Sequence, residues 1–311
     1  MAATRTRVFA IMGATATGKT GAAVSLCEQL GGEIVSMDSR QVYRRMDIGT
    51  GKPGPDELAR ARHHLIDMLD PHEQGSAGRH AAMAAAAIDD IAARGHLPFL
   101  VGGTGLYFRA LFGGLLDVVI PPEALDGIRA SLRERDTGTL YEELRLADPA
   151  RAEELSPNDR VRISRALELM AWTGRAVSDL YAEQKQEADR FDVVRVVLTL
   201  PRALLRGRIA GRTRAMFDAG WPDEVRALID AGVATDAPGM QSLGYAEIAR
   251  ALIDGRPAAE VLDDVITRTQ QYAKRQETFF RGERDASWVD VDTQGWESGL
   301  RALVTGAGPT Q

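Results

Sequence analysis

With 311 residues, 44% hydrophobic and 26% charged, the chain has the make-up of one large or two modest globular domains, which excludes collagen-like, disulfide-dense and low-complexity classes. Its formal charge of −6 argues against a uniformly basic nucleic-acid binder, and only four of its 38 basic residues are lysines: Lys19, Lys52, Lys185 and Lys274. The single cysteine, Cys27, suits a reducing compartment, residues 1–7 are too short and polar for a secretory signal, and the apolar run 81–88 is too short for a membrane span. A cytoplasmic protein with no membrane contact is the resulting expectation.

In chain order, residues 8–12 read as a strand, 13–20 as a glycine-rich turn, and the run to Leu30 as a helix. A second apolar run, 33–37, ends at Asp38, and the segment 48–53 reads as an irregular loop. The alanine-rich stretch 76–94 predicts a helix feeding a strand at 97–101, closed by Gly102-Gly103-Thr104-Gly105. This alternation predicts an α/β fold with a parallel sheet wrapped by helices. Nearly all of the long stretch before the next strand, 193–200, is helical in pattern, including 159–173 with Ile163, Leu167 and Met170 on one face. We therefore expect a catalytic core of residues 1–115 and 193–311 and an all-helical insertion of residues 116–192. After Pro201 the pattern is again helical to Arg281, a short apolar piece covers 287–291, and the glycine-rich tail beyond it reads as loose.

Gly13-Ala14-Thr15-Ala16-Thr17-Gly18-Lys19-Thr20 fits the phosphate-binding loop pattern, with a strand before it and a helix after. Glycines let backbone amides curl round phosphate oxygens, the helix start and Lys19 add positive potential, and the Thr20 hydroxyl suits Mg²⁺. The pattern alone leaves open what the phosphates belong to. A kinase or ATPase normally places an acid at the end of a neighbouring strand, and Gly102-Gly103-Thr104 offers none. Asp38, at the end of another strand, is the remaining candidate acid, with a turn cap as its plainer role.

The run Asp38-Ser39-Arg40-Gln41-Val42-Tyr43, continued by Met46-Asp47-Ile48-Gly49-Thr50-Gly51-Lys52-Pro53, resembles a signature of the tRNA dimethylallyltransferases, also called tRNA isopentenyltransferases. Motifs at His63-His64-Leu65-Ile66-Asp67, Gly102-Gly103-Thr104-Gly105-Leu106-Tyr107, Asn158-Asp159, 162–168, Gly244-Tyr245 and Arg275-Gln276 follow in the family's order. The resemblance implies a core like that of P-loop nucleoside-triphosphate hydrolases. It also implies transfer of a dimethylallyl group from dimethylallyl diphosphate to N6 of the adenosine 3′ to a tRNA anticodon, position 37, with Mg²⁺ as cofactor. The loop 13–20 would hold the donor's diphosphate, Asp38 would accept the proton from N6, Thr104 would bond the donor's ester oxygen, and Arg212 would assist the diphosphate. A helix-capping role for Thr104 and a solvated helix face for Arg202, Arg206, Arg208 and Arg214 are the plainer readings.

The partner implied is a tRNA anticodon stem-loop whose target base leaves the stack. Candidate contacts are Asp38, Ser39, Arg40, Gln41 and Thr104 around the acceptor, Arg129 and Val161, Arg162, Ile163, Ser164 and Arg165 on the insertion, and Gln241, Ser242, Leu243, Gly244, Tyr245 and Ala246. Arg268, Lys274, Arg275, Arg281 and Arg284 extend the basic surface, and a monomer is expected. Arg40 stands where the family often has a small residue, Gly51 replaces a common alanine without expected consequence, and Thr278-Phe279-Phe280 replaces a tryptophan-containing pattern with similar packing. His63 and His64 lack the companions of a zinc site. Rival readings are prenylation of a free adenine nucleotide, a small-molecule kinase and a non-enzymatic RNA-binding module; the insertion and the arginine-rich C-terminal helices favour an RNA substrate.

Overall fold

The computed structural model describes residues 5–306 apart from 114, 117, 119 and 284, and omits the side chains of 185–187. Arg284 of the expected basic surface thus lies outside the described residues. The chain forms two compact units, Arg109–Arg190 and the chain on either side of it.

The larger unit is built on six strands: β1 (Thr6–Gly13), β2 (Gly32–Ser36), β3 (His63–His64), β4 (Leu97–Gly102), β5 (Phe191–Thr199) and β6 (Ala286–Asp290). They form one sheet in the order β3-β2-β4-β1-β5-β6, with every pair parallel. Residues 8–13 of β1 are buried throughout, as a central parallel strand covered on both faces requires. Helices α1 (Lys19–Leu30), α2 (Pro55–Arg60), α3 (Ala77–Ala93) and α4 (Gly105–Leu111) follow in the first part of the chain. Ser76 caps α3 by accepting from the Arg79 amide, and Gly31 ends α1 in a left-handed conformation.

The smaller unit holds α5 (Pro122–Arg133), α6 (Thr137–Ala147), α7 (Pro149–Glu153), α8 (Arg160–Thr173) and α9 (Val177–Ala188) around Leu140, Leu144, Ile163 and Leu169. Its ends differ from the expected 116 and 192. Phe108 still packs edge-on against Phe280, and β5 begins two residues early because Phe191 pairs with Thr6.

The larger unit resumes with α10 (Arg202–Asp218), α11 (Trp221–Asp230), α12 (Tyr245–Ile253), a 3₁₀ turn at Ala258–Val261, α13 (Leu262–Phe280) and α14 (Trp296–Thr305). One core lies under α1, α10, α13 and α14; a second surrounds Trp221, Met240, Tyr245 and Ile248. The expectation of a loose tail is corrected as far as Gly306. Leu300 and Val304, one helical turn apart, are 1% and 3% exposed, so burial of one apolar face holds α14 in place; residues 307–311 of that tail lie outside the described residues. Cys27 is buried, which pushes its thiol up to about 12. Among the described residues no helix is long and apolar enough to cross a membrane.

Candidate active site

The adjacent strands β2, β4 and β1 deliver Asp38, Thr104 and the loop 13–20 to one rim of the sheet, where ligands of open parallel sheets gather. A cavity of about 840 Å³ opens there, lined among others by Lys19, Thr20, Asp38, Arg212, Tyr272 and Gln276, all in the larger unit.

The anion loop depends on side-chain braces as well as on glycine. At Gly13, φ is +147° and a Cβ would stand 2.5 Å from the Leu198 carbonyl oxygen, so no other residue fits. The Thr17 hydroxyl and Lys19 Nζ both donate to the Ala14 carbonyl, at 2.9 and 2.7 Å. The Thr17 side chain is 1% exposed and does not line the cavity, so its hydroxyl serves as a brace of the loop. Thr15 is held from two helices: Arg212 Nη1 donates to its hydroxyl at 3.1 Å, and its amide donates to Gln276 Oε1 at 2.9 Å. Desolvation lowers the Lys19 pKa to about 8, with Asp38 opposing the shift and Arg212 reinforcing it. Arg212 is lowered in the same direction, again mainly by desolvation and against Asp38.

Asp38 Oδ1 accepts the Arg40 amide at 2.8 Å and the Gln41 amide at 3.4 Å, so the turn-cap role is real and the carboxylate is oriented by it. Thr104 Oγ1 accepts the Ser39 amide at 3.0 Å and donates to Ser39 Oγ at 3.3 Å, tying the two strand ends together. Its carbonyl, not its hydroxyl, meets the Tyr107 amide at the start of α4. Tyr272 reaches Thr104 from α13, and its hydroxyl is pushed up to about 12 by desolvation and by Asp38. Gln41 bridges Ser36 Oγ and the Gly51 carbonyl, both at 3.0 Å, so its amide is a brace within the site.

Segment 47–51 forms another wall. Glu224, near the start of α11, accepts the amides of Asp47, Ile48 and Gly49 at 2.7, 2.8 and 3.3 Å and the Tyr245 hydroxyl at 2.5 Å. Gly51 is not neutral, contrary to expectation: its φ is +60°, and a Cβ would stand 1.9 Å from Arg212 Nη2. Lys52 anchors the same segment, donating to the Tyr43 carbonyl and to Asp47 at 2.6 Å and pairing with Asp67.

Several candidate RNA contacts have buried side chains. Tyr245 and Ile163 are 0% exposed and Ser242 is 2%, its hydroxyl donating to the Gly239 carbonyl; of the three, Ser242 and Tyr245 line the cavity while Ile163 is packed in the smaller unit's core. Gln241, Arg162 and Val161 are exposed, Val161 at 80%. Arg129 and Arg165 share the buried Glu168, at 2.9 and 3.2 Å. His64 and His96 meet Glu33, each at 2.6 Å, and Arg94 pairs with the same carboxylate, which is held at about 2 mainly by Arg94. His63 bonds the Ala61 carbonyl at 2.8 Å. Among the described residues no group of three His, Cys, Asp or Glu is placed to hold a metal; the Thr20 hydroxyl on the cavity wall is a hard oxygen donor of the kind Mg²⁺ takes beside phosphate oxygens.

A model of the family described as IPP transferase matches residues 41–283. The chain belongs to that family. It is 42% identical over 288 residues to the tRNA dimethylallyltransferase of Desulfosudis oleivorans, covering 92% of each chain. Against the tRNA dimethylallyltransferase of Myxococcus xanthus it is 44% identical over 292 residues, covering 92% of this chain and 93% of that one. The full-length tRNA isopentenylpyrophosphate transferase of Bacillus halodurans superposes with a TM-score of 0.71 at 34% identity, over 97% of this chain and 96% of that one. A eukaryotic dimethylallyltransferase described as acting on tRNA gives 0.78 at 27% identity, over 98% of this chain and 81% of that one. The family model begins at Gln41, so the anion loop and Asp38 are read from the geometry above.

Tyr272, Gln276 and Glu224 are the site residues whose roles composition and spacing left unassigned. Each is a polar residue on a helix; Gln276 stands within the Arg275-Gln276 motif without a role, and the spacing of Tyr272 and Glu224 does not set them apart from a solvated face.

Proposed function

We propose that the chain is a tRNA dimethylallyltransferase that transfers the dimethylallyl group of dimethylallyl diphosphate to N6 of the adenosine 3′ to the anticodon, position 37, releasing diphosphate. The observation that carries the reading is one cavity with the anion loop on one wall and an oriented carboxylate, Asp38, on another, the neighbouring Ser39 amide being tied to the Thr104 hydroxyl. Lys19, Arg212 and the loop amides bind the diphosphate and hold the electron pair that leaves with it as the allylic C–O bond breaks. N6 forms the new bond to that carbon, and Asp38 accepts the proton it sheds. Thr104 meets the ester oxygen. The Thr20 hydroxyl would help hold Mg²⁺, which would supply positive charge toward the leaving diphosphate.

The acceptor is placed in the cytoplasm, in keeping with the single buried Cys27. On the larger unit, exposed Gln241, Arg40 and Arg268 are the candidate contacts for its loop; the smaller unit offers exposed Val161 and Arg162 as its own candidate RNA contacts. The test is transfer of label from dimethylallyl diphosphate, with Mg²⁺, to unmodified tRNA carrying adenosine 37, beside AMP and ADP. Label on tRNA alone is the expected result. Label on the nucleotides, or on nothing, overturns the reading.

A further inference from the structure

The β1–β4 ladder ends at Met12 opposite Gly102, and past it the chain splits into the anion loop on one side and the Thr104 turn on the other. The Gln276 side chain spans the split. It is 6% exposed, its Oε1 accepts the Thr15 amide at 2.9 Å, and its Nε2 donates to the Gly103 carbonyl at 2.9 Å. A carboxamide carries the same acceptor and donor pair as a peptide group, so Gln276 extends the ladder by one rung made from a side chain.

The rung is fixed at both ends. Tyr272, one turn earlier on α13, reaches Thr104, and Phe279 lies where a Cβ on Gly105 would come within 2.1 Å of its ring. One face of α13 therefore tracks residues 103–105, while Thr15 is pinned a second time by Arg212. At Gly103 a Cβ would stand 2.2 Å from Gln276 Nε2, so the carboxamide fits only against a bare backbone.

We propose that Gln276 is a positioning residue that sets the distance between the donor's diphosphate, on the anion loop, and the reacting centre at Thr104 and Asp38. The inference rests on the transfer reaction proposed above. A displacement of about 1 Å between reacting groups slows an oriented reaction by up to about a hundredfold. Gln276 touches neither reacting atom, so its loss acts on the chemical step more than on anion affinity.

The test is Gln276→Met, similar in length but without the two hydrogen bonds. Single-turnover transfer at saturating donor and tRNA reports a rate constant independent of the folded fraction, and calorimetric titration with inorganic diphosphate reports the anion site. The expected result is a rate at least about tenfold lower with diphosphate affinity changed less than about threefold. A rate within about threefold of wild type, or rate and affinity falling by equal factors, overturns the proposal. Should Gln276→Met not fold, Gly103→Ala displaces the carboxamide while leaving Gln276 in place, and it is expected to slow transfer to a similar degree with diphosphate binding kept; an unchanged rate overturns the proposal. Where both variants fold, their combination is expected to be no slower than the slower single, and independent, multiplying effects overturn it. Wild-type protein that transfers no label sinks the function and the positioning role together, whereas active wild type with an unchanged Gln276→Met rate sinks the positioning role alone.

Discussion

Replacing Glu224 by Gln perturbs a hub that touches no substrate. One carboxylate accepts three backbone amides and the Tyr245 hydroxyl, and a carboxamide keeps one oxygen while turning a donor toward the other two partners. Hydrogen bonds to a charged group contribute about 1.5–3 kcal/mol each, so losing two at this half-buried position destabilises the larger unit by about 3 kcal/mol. For a unit of this size that lowers the unfolding midpoint by roughly 6 °C. Tyr245→Phe removes one of the four bonds and is expected to cost about half as much. The consequence for the site follows from the segment released: residues 47–49 lead to Gly51, whose carbonyl takes the Gln41 amide and whose bare Cα admits Arg212. Donor KM is therefore expected to rise in Glu224→Gln, measured alongside differential scanning calorimetry of both variants. A midpoint within about 1 °C of wild type, with donor KM unchanged, refutes the reasoning.

Asp38→Asn keeps the acceptor that orders the Arg40 turn and removes the charge proposed to take the N6 proton, so turnover should fall at least about a hundredfold while diphosphate binding holds; turnover within a few-fold of wild type removes Asp38 as the base. Because the Lys19 ammonium is lost above about 8, donor kcat/KM should fall about tenfold between pH 7 and pH 9, whereas Lys19→Arg keeps its charge and gives a flatter profile. A wild-type profile level to pH 9.5 counts against a role for that charge. His80, 6% exposed, bonds the Ser36 carbonyl at 2.9 Å and stacks on Tyr107, and burial lowers its pKa to about 4. The unfolded chain binds a proton near pH 6.5 that the folded chain refuses until about 4, so stability is full above 6.5 and falls by about 3 kcal/mol as pH drops through that window. Urea unfolding at pH 7 and pH 4.5 should show the loss in wild type and a smaller one in His80→Gln; equal losses refute the assignment.

The parts of the site legible in the sequence are those where backbone geometry restricts residue choice. Gly13 tolerates no side chain, Lys19 and Thr20 follow at fixed offsets, and Asp38 ends an apolar run, so spacing alone pointed to all of them. What was not legible depends on which way a helix is turned. In sequence Gln276 is only part of a family motif and Glu224 stands in none, and neither has a role until the fold rotates one toward Thr15 and the other toward Ile48. Ile163, read from periodicity on the apolar face of its helix, is indeed 0% exposed, as is Tyr245; both stand among the expected RNA contacts only because the family resemblance takes in their whole stretches. The tail misled for a different reason: Trp296, Leu300 and Val304 form one short stripe among small residues, too little to outweigh the glycines in sequence but enough once β5 and β6 offer a floor.

The register of β1 has a consequence for how the protein is made. Thr6 pairs with Phe191 and Gly13 with Leu198, so this edge of β1 stays open until the whole helical unit has been translated. The Thr15 amide waits longer still, for residue 276. The anion loop is thus synthesised long before it is completed. A nascent chain stalled before α13 holds the full glycine pattern without the side-chain rung, and carries no finished donor site to engage substrate ahead of release.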